Sequence, residues 1–188
     1  MLVLIGKSAS GKDKTRENLT MKQGFHSVIT YTTRPMRTGE IQDITYHYIS
    51  KDDFLEKIKS GFFAEWKKYD TNGETWYYGS AKEDLKNADE NSVIILTPDG
   101  VRDVQKSGIN NMKIIYLYAN DTTITKRLNM RGDNPEEVKR RMKKDRADFN
   151  GAEYLADRIV YNNLDNNIDD VTNSIVFHYK RMCKDEKQ

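Results

Sequence analysis

A short apolar run, Met1–Ile5, leads straight into Gly6-Lys7-Ser8-Ala9-Ser10-Gly11-Lys12, and a helix-competent stretch follows at once. Strand, glycine-bounded loop, lysine and helix, in that order, make a phosphate-binding loop, and nothing else in the sequence constrains the fold as much. Its chemistry belongs to the backbone. Successive N–H groups of the loop and the N-terminus of the next helix face an anion, and glycines permit the dihedral angles this requires. Lys12 adds a mobile cation for the outer phosphates. The usual next residue is Ser or Thr, whose hydroxyl ligates magnesium. Here it is Asp13.

Beyond the loop, the pattern predicts a helix over 12–22 anchored by Leu19 and stopped by Gly24, then a strand over Phe25–Tyr31. Thr32 to Glu40 is a polar, basic loop, and Tyr46–Ile49 is strand-like again. Ser50-Lys51-Asp52-Asp53 opens a capped helix with Phe54, Leu55 and Ile58 on its apolar face. Strands are expected over 62–69 and 76–78, separated by a turn within 70–74, after which Ser80 is expected to cap a helix of about two turns. Ser92–Thr97 and Met112–Tyr118 are continuous apolar runs, as buried parallel strands are. Helices are expected over 98–106, 121–130, 134–149 and 169–182, with a last short strand at 158–161. Apolar strands alternating with helices imply a parallel sheet covered on both faces.

At 188 residues the chain reads as one domain with room for small insertions. A net charge of +2 gives no reason to expect a nucleic-acid partner, and no apolar run approaches a membrane span. The N-terminal residues read as a strand rather than a signal peptide. A single cysteine, Cys183, excludes an internal disulfide, and His26, His47 and His178 form no ligand spacing. The expectation is a soluble, cytoplasmic protein, monomer or homodimer, that handles small molecules.

A second set of residues makes the reading sharper. Thr33-Arg34, Arg37, Gly39-Glu40 and Tyr46, then Phe62-Phe63-Ala64-Glu65-Trp66 and Tyr77-Tyr78-Gly79-Ser80, closely resemble the monophosphate-binding segment of guanylate kinases. Arg127, Arg131-Gly132 and Arg140-Arg141 look like that family's lid, and Asn162-Asn163 like its adenine-side loop. The resemblance covers essentially the whole chain. It implies a P-loop NTPase-type α/β fold, a parallel sheet flanked by helices, with a small strand-rich nucleotide-binding insert and an Arg-rich helical lid. In that scheme the core is 1–31, 81–126 and 150–188, the insert 32–80 and the lid 127–149.

Phosphoryl transfer between nucleotides needs two anion sites, a divalent cation and arginines over the moving group. Gly6, Ser8, Ala9, Ser10, Gly11, Lys12, Asp13 and Lys14 supply the ATP site, with Asn162 on the adenine side by resemblance. Arg34, Arg37, Tyr46 and Tyr78 would hold the acceptor phosphate by charge-assisted hydrogen bonds. Glu65 would accept from the ring N–H and amine of guanine, with Thr30 and Ser80 on the rest of the base edge. Lys12, Arg131 and Arg141 are the expected catalytic cations. Arg127, Arg140 and Arg146 also stand near acids at helical spacing and read equally as surface ion pairs, and Tyr77 reads as a packing residue.

Two departures concern one ion. Asp13 stands where a hydroxyl is usual, and the two aspartates that guanylate kinases carry at the end of the Ser92–Thr97 strand are replaced by Ile95 and Thr97. A carboxylate beside a triphosphate repels it by about 4 kcal/mol at ~4 Å in a surface-like dielectric. The linked expectation is that Asp13 ligates Mg2+ in place of the lost sheet-edge carboxylate. Thr97, on the acceptor side, loosens strict guanine selection. The leading reading is ATP- and magnesium-dependent phosphorylation of GMP or dGMP. The alternatives are a kinase of the same fold with another acceptor (another monophosphate or ribose 1,5-bisphosphate), or a non-catalytic domain that binds a phosphoprotein.

Overall fold

The computed structural model describes residues 1–71 and 73–185. The first half of the chain forms β1 (Leu2–Ile5), α1 (Lys12–Lys22), β2 (His26–Ser27), β3 (Tyr31–Thr32), β4 (His47–Tyr48), α2 (Lys51–Lys59), β5 (Phe63–Thr71), β6 (Glu74–Ala81) and α3 (Lys82–Lys86). The second half forms β7 (Ser92–Ile95), α4 (Pro98–Lys106), β8 (Lys113–Tyr118), α5 (Asp121–Met130), α6 (Pro135–Asp148), β9 (Arg158–Tyr161) and α7 (Ile168–Asp185). Two compact units divide them: Met1–Ser27 with Glu90–Asp99 and Asn111–Gln188, and Val28–Asp89 with Gly100–Asn110.

The first unit is a five-stranded sheet in the order β2-β7-β1-β8-β9, parallel throughout. β1 lies at its centre, with Leu4 in register with Ile95 on one side and Ile115 on the other. A strand flanked on both edges must be apolar along its whole length, and all four residues of β1 are fully buried. Leu2 and Leu4 pack with Leu19 of α1, Leu117 of β8, and Val171, Ile175 and Tyr179 of α7. A smaller cluster joins Ile124 and Leu128 of α5 to Val138 of α6. The loop after β1 therefore leaves the sheet from its most firmly held strand.

α1 has little apolar surface to offer. Its buried residues are Thr15, Asn18 and Leu19. Only Leu19 enters the core, and polar tethers do the rest: Asn18 donates to the Asp169 carboxylate at 2.7 Å and Lys22 to the same oxygen at 2.6 Å.

The second unit is a four-stranded sheet in the order β4-β3-β6-β5, in which β3 and β4 are parallel and the other pairs antiparallel. The β5–β6 hairpin carries a bulge between Phe63 and Glu65. Phe54 of α2 is fully buried and stacks on Phe63 at 4.4 Å between ring centroids. Ser50 caps α2 as expected, accepting from the Asp53 N–H at 3.1 Å.

The α/β class and the parallel sheet flanked by helices are as the sequence predicts. Three local readings differ. The strand over 25–31 is two short strands, because β2 pairs with β7 and β3 with β6, and one run cannot keep register with both sheets. The strand from Ser92 ends at Ile95, ahead of the proline that opens α4. Ser80 is not a helix cap: β6 runs on to Ala81, α3 has no side-chain cap, and the Ser80 hydroxyl is turned to Glu65. The turn within 70–74 includes Asn72, which lies outside the described residues. No helix among the described residues is long and apolar enough to cross a membrane.

Candidate functional site

The phosphate loop turns on two left-handed residues, Ala9 at φ 55° and Gly11 at φ 102°. A Cβ on Gly11 would run into the side-chain amide of Asn162, so glycine is required there twice over, by its dihedral and by the close approach. Asn162, only 2% exposed, donates to the Ser10 carbonyl at 2.8 Å and accepts from Arg127 at 3.2 Å. Arg127 reaches the Ala9 and Ser10 carbonyls as well, at 3.2 and 3.3 Å. An arginine and an asparagine from distant parts of the chain thus take up the loop's carbonyls. The Ser8 N–H is given to the Asp145 carboxylate of α6 at 2.7 Å.

Lys12 folds onto the start of the loop, donating to the Gly6 carbonyl at 2.6 Å and the Lys7 carbonyl at 2.9 Å. Burial lowers its pKa from the ordinary lysine value; Asp13 and Asp145 oppose that, and Arg131 adds to it. Arg127 is lowered too, by burial first and then by Arg131. Arg131 therefore places positive charge beside both Lys12 and Arg127, as befits a site for a polyanion. Lys14 and Asp13 are exposed in the first turn of α1. The Asp13 carboxylate is 83% exposed, with Arg16 at 3.8 Å, and so is open to a further ligand. No group of three or more His, Cys, Asp or Glu gathers as a metal site among the described residues. A magnesium ion held by one carboxylate and phosphate oxygens needs no such group, and Asp13 fits that role.

Arg141 stands elsewhere. Its guanidinium, expected from the sequence to be a catalytic cation, is held by Glu137 at 2.7 Å and Asp133 at 3.2 Å. Arg140 bonds the same Glu137 at 2.6 and 2.8 Å, and the two arginines, Arg140 first, pull that carboxyl down to about 2.

In the second unit Arg34 is 5% exposed, a burial that a guanidinium tolerates only with partners. It makes a two-pronged contact to Glu40, at 3.0 and 2.7 Å, and its Nε donates to the Tyr78 hydroxyl at 3.2 Å. The rings of Tyr46 and Tyr48 flank its guanidinium at 5.7 and 5.8 Å. Glu40 also accepts from the Tyr48 hydroxyl and the Arg37 N–H, both at 2.7 Å. Hydrogen bonding from Arg34, ahead of those from Arg37 and Tyr48, holds its carboxyl at about 2. Arg37 is exposed. Sequence reasoning named Arg34, Tyr46 and Tyr78 but not Tyr48, nor Glu40 as the hub that orders them. Glu40 stands beside Gly39 in the segment that carries the resemblance, but nothing in the sequence marks it as that hub.

Past the bulge in β5, Glu65 lies directly across from Ser80, whose hydroxyl donates to it at 2.6 Å. Burial raises the Glu65 carboxyl, and Ser80 and then Lys67 partly oppose this. Glu65 lines a cavity of about 630 Å3 with Phe63, Trp66, Lys67 and Asp103. Thr30 precedes β3 and gives its carbonyl to the His47 N–H at 2.9 Å. Thr97 follows β7 and is half-buried.

A family model described as guanylate kinase matches residues 1–178. The chain is 38% identical over 118 residues to a guanylate kinase of Wolinella succinogenes, a match covering 62% of this chain and 50% of that protein. It is 30% identical over 122 residues to a guanylate kinase of Bdellovibrio bacteriovorus, covering 63% of each. The chain thus spans between half and two thirds of these two relatives. The crystal structure of a guanylate kinase from Anaplasma phagocytophilum shares the fold, with a TM-score of 0.67 and 17% identity over 97% of this chain and 85% of that one.

Proposed function

The chain belongs to the guanylate kinase family, and from that premise we propose that it is a nucleoside monophosphate kinase moving the terminal phosphoryl group of ATP to GMP or dGMP. The observation that carries the acceptor assignment is Glu65. It is a half-buried carboxylate on a cavity wall, with the Ser80 hydroxyl at 2.6 Å. When ionised it accepts two hydrogen bonds from one base edge, the donor pair that guanine offers and adenine lacks.

The loop N–H groups and Lys12 take the donor phosphates, with Arg131 as the second cation on the moving group. Arg141 joins them by leaving Glu137 and Asp133. Arg34, fixed by Glu40 and Tyr78, holds the acceptor phosphate with Arg37, Tyr46 and the Tyr78 hydroxyl. Residues 127–149 act as the lid and 32–80 as the acceptor-binding insert. Asp13 would hold Mg2+, which when bound neutralises charge on the donor phosphate oxygens.

The test is an ADP-release assay with ATP and Mg2+ across GMP, dGMP, AMP, dTMP, CMP and ribose 1,5-bisphosphate. Turnover with the guanine nucleotides, at least about 100-fold above the rest, is expected from the polar contacts to the base. No turnover with any acceptor would sink the proposal, and turnover of the sugar phosphate alone would move it to another kinase class. Calorimetry of ATP with and without Mg2+ tests the metal: Asp13→Ala should remove most of the dependence.

A further inference from the structure

One carboxylate in the first unit has no part in that scheme. Asp145 sits in the last turn of α6, and its Oδ2 accepts from the Ser8 main-chain N–H at 2.7 Å. A loop of this kind presents its N–H groups to phosphate oxygens, and a carboxylate oxygen is the closest side-chain imitation of one. The neighbouring residue fastens the same turn: Arg146 donates to Asp121 at 2.9 Å, and Lys7 of the loop reaches the other oxygen of Asp121 at 3.4 Å. Two consecutive residues of α6 are thus tied to two consecutive residues of the loop. Asp145 also acts on Lys12, where its charge, with that of Asp13, holds the ammonium pKa up against burial.

We propose that Asp145 is an internal ligand of the phosphate loop, a carboxylate that occupies an anion position at Ser8 and that the donor's phosphate displaces. This rests on the loop being the donor site and is independent of which acceptor is used. Its consequence is competition. The loop is satisfied by its own chain until a polyphosphate takes the Ser8 N–H, and the last turn of α6 is released as it does so. A donor that arrives with a divalent cation displaces the carboxylate more readily than a bare anion, because the cation offsets the repulsion between the two.

Pyrophosphate is the probe, since it presents the phosphate chemistry without base or sugar. Calorimetry on the full chain should show Asp145→Asn binding it about tenfold more tightly than the unsubstituted protein, the gain from removing one nearby like charge after screening. Asp148→Asn removes the same charge from an exposed position on the same helix and should stay within about twofold. Unchanged or weaker binding in Asp145→Asn overturns the proposal, as does an equal gain in Asp148→Asn. If Asp145→Asn does not fold, carbon-detected NMR on the unsubstituted protein decides. The Asp145 carboxyl and Ser8 amide resonances should move together as pyrophosphate saturates the loop, and a stationary Asp145 carboxyl overturns the idea. Lys12→Ala separates the two readings: lost pyrophosphate binding keeps the loop as donor site whatever Asp145 does, and retained binding removes both.

Discussion

In the loop after β1 the groups that define the site are main-chain ones: a Ser8 N–H, the carbonyls of Gly6, Lys7, Ala9 and Ser10, and two left-handed residues. Around Arg34 they are side chains almost without exception: a guanidinium, a carboxylate and three phenols. The first kind of site tolerates exchange of side chains that only pass through it, and is lost when a dihedral or a close approach is denied. The second depends on each named group and on the burial that makes its contacts strong. The difference sets where each region will fail.

Substituting Lys12 should have the largest effect, because its ammonium is the one side chain of the loop pointed at the loop's own carbonyls. Lys12→Ala is expected to lower kcat by about 10^3 or more while GMP affinity, measured by calorimetry, holds. Loss of both together would erase the distinction between the regions. Next comes Arg34→Ala, which leaves Glu40 without its two-pronged partner. It should cost about 3 kcal/mol of stability in urea unfolding and raise the KM for the acceptor far more than it lowers kcat.

Acidification probes the Arg34 region without mutation. Hydrogen bonding in the folded protein holds Glu40 at about 2, against an ordinary 4.5. A depressed carboxyl stabilises the fold fully above the unfolded value, and that contribution is lost as pH falls from about 4.5 through about 2. The melting temperature should drop over that window, and Glu40→Gln should flatten part of the drop while costing stability at neutral pH. An identical profile in the variant would remove Glu40 from its place as hub. The smallest effect belongs to Ala9, whose φ of 55° glycine adopts freely. Ala9→Gly should gain about 0.5 kcal/mol or less, the relief of strain being partly offset by a more flexible unfolded chain.

The same contrast explains what could be read in the residue string. A main-chain site must be written contiguously, so Gly6 to Lys12 announced itself. The side-chain site was legible through motif spacing, which picked out Arg34, Tyr46, Glu65 and Tyr78 but gave no hint that Glu40 binds them together. The clamp on the loop was out of reach, since Arg127 and Asn162 meet across 35 positions and have meaning only when folded. Asp145 was hidden differently, inside a run of lysines, arginines and acids that reads as a solvated helix face. Ser80 misled because a serine ahead of Lys82-Glu83-Asp84 looks like a cap, while its hydroxyl has a better acceptor in Glu65. Arg141 was read as a catalytic cation, although Glu137 stands one helical turn before it and takes its guanidinium here.

The meagre apolar face of α1 has a thermal consequence. One leucine and a pair of tethers to Asp169 hold the helix that carries Lys12, while β1 beneath it is locked between two strands. On gentle warming the helix should loosen first and the sheet well afterwards, so the protein would lose its hold on polyphosphate over a range where its fold is still intact. Activity would fade before the melting transition begins, and the donor nucleotide, by bracing that helix, would delay the fading.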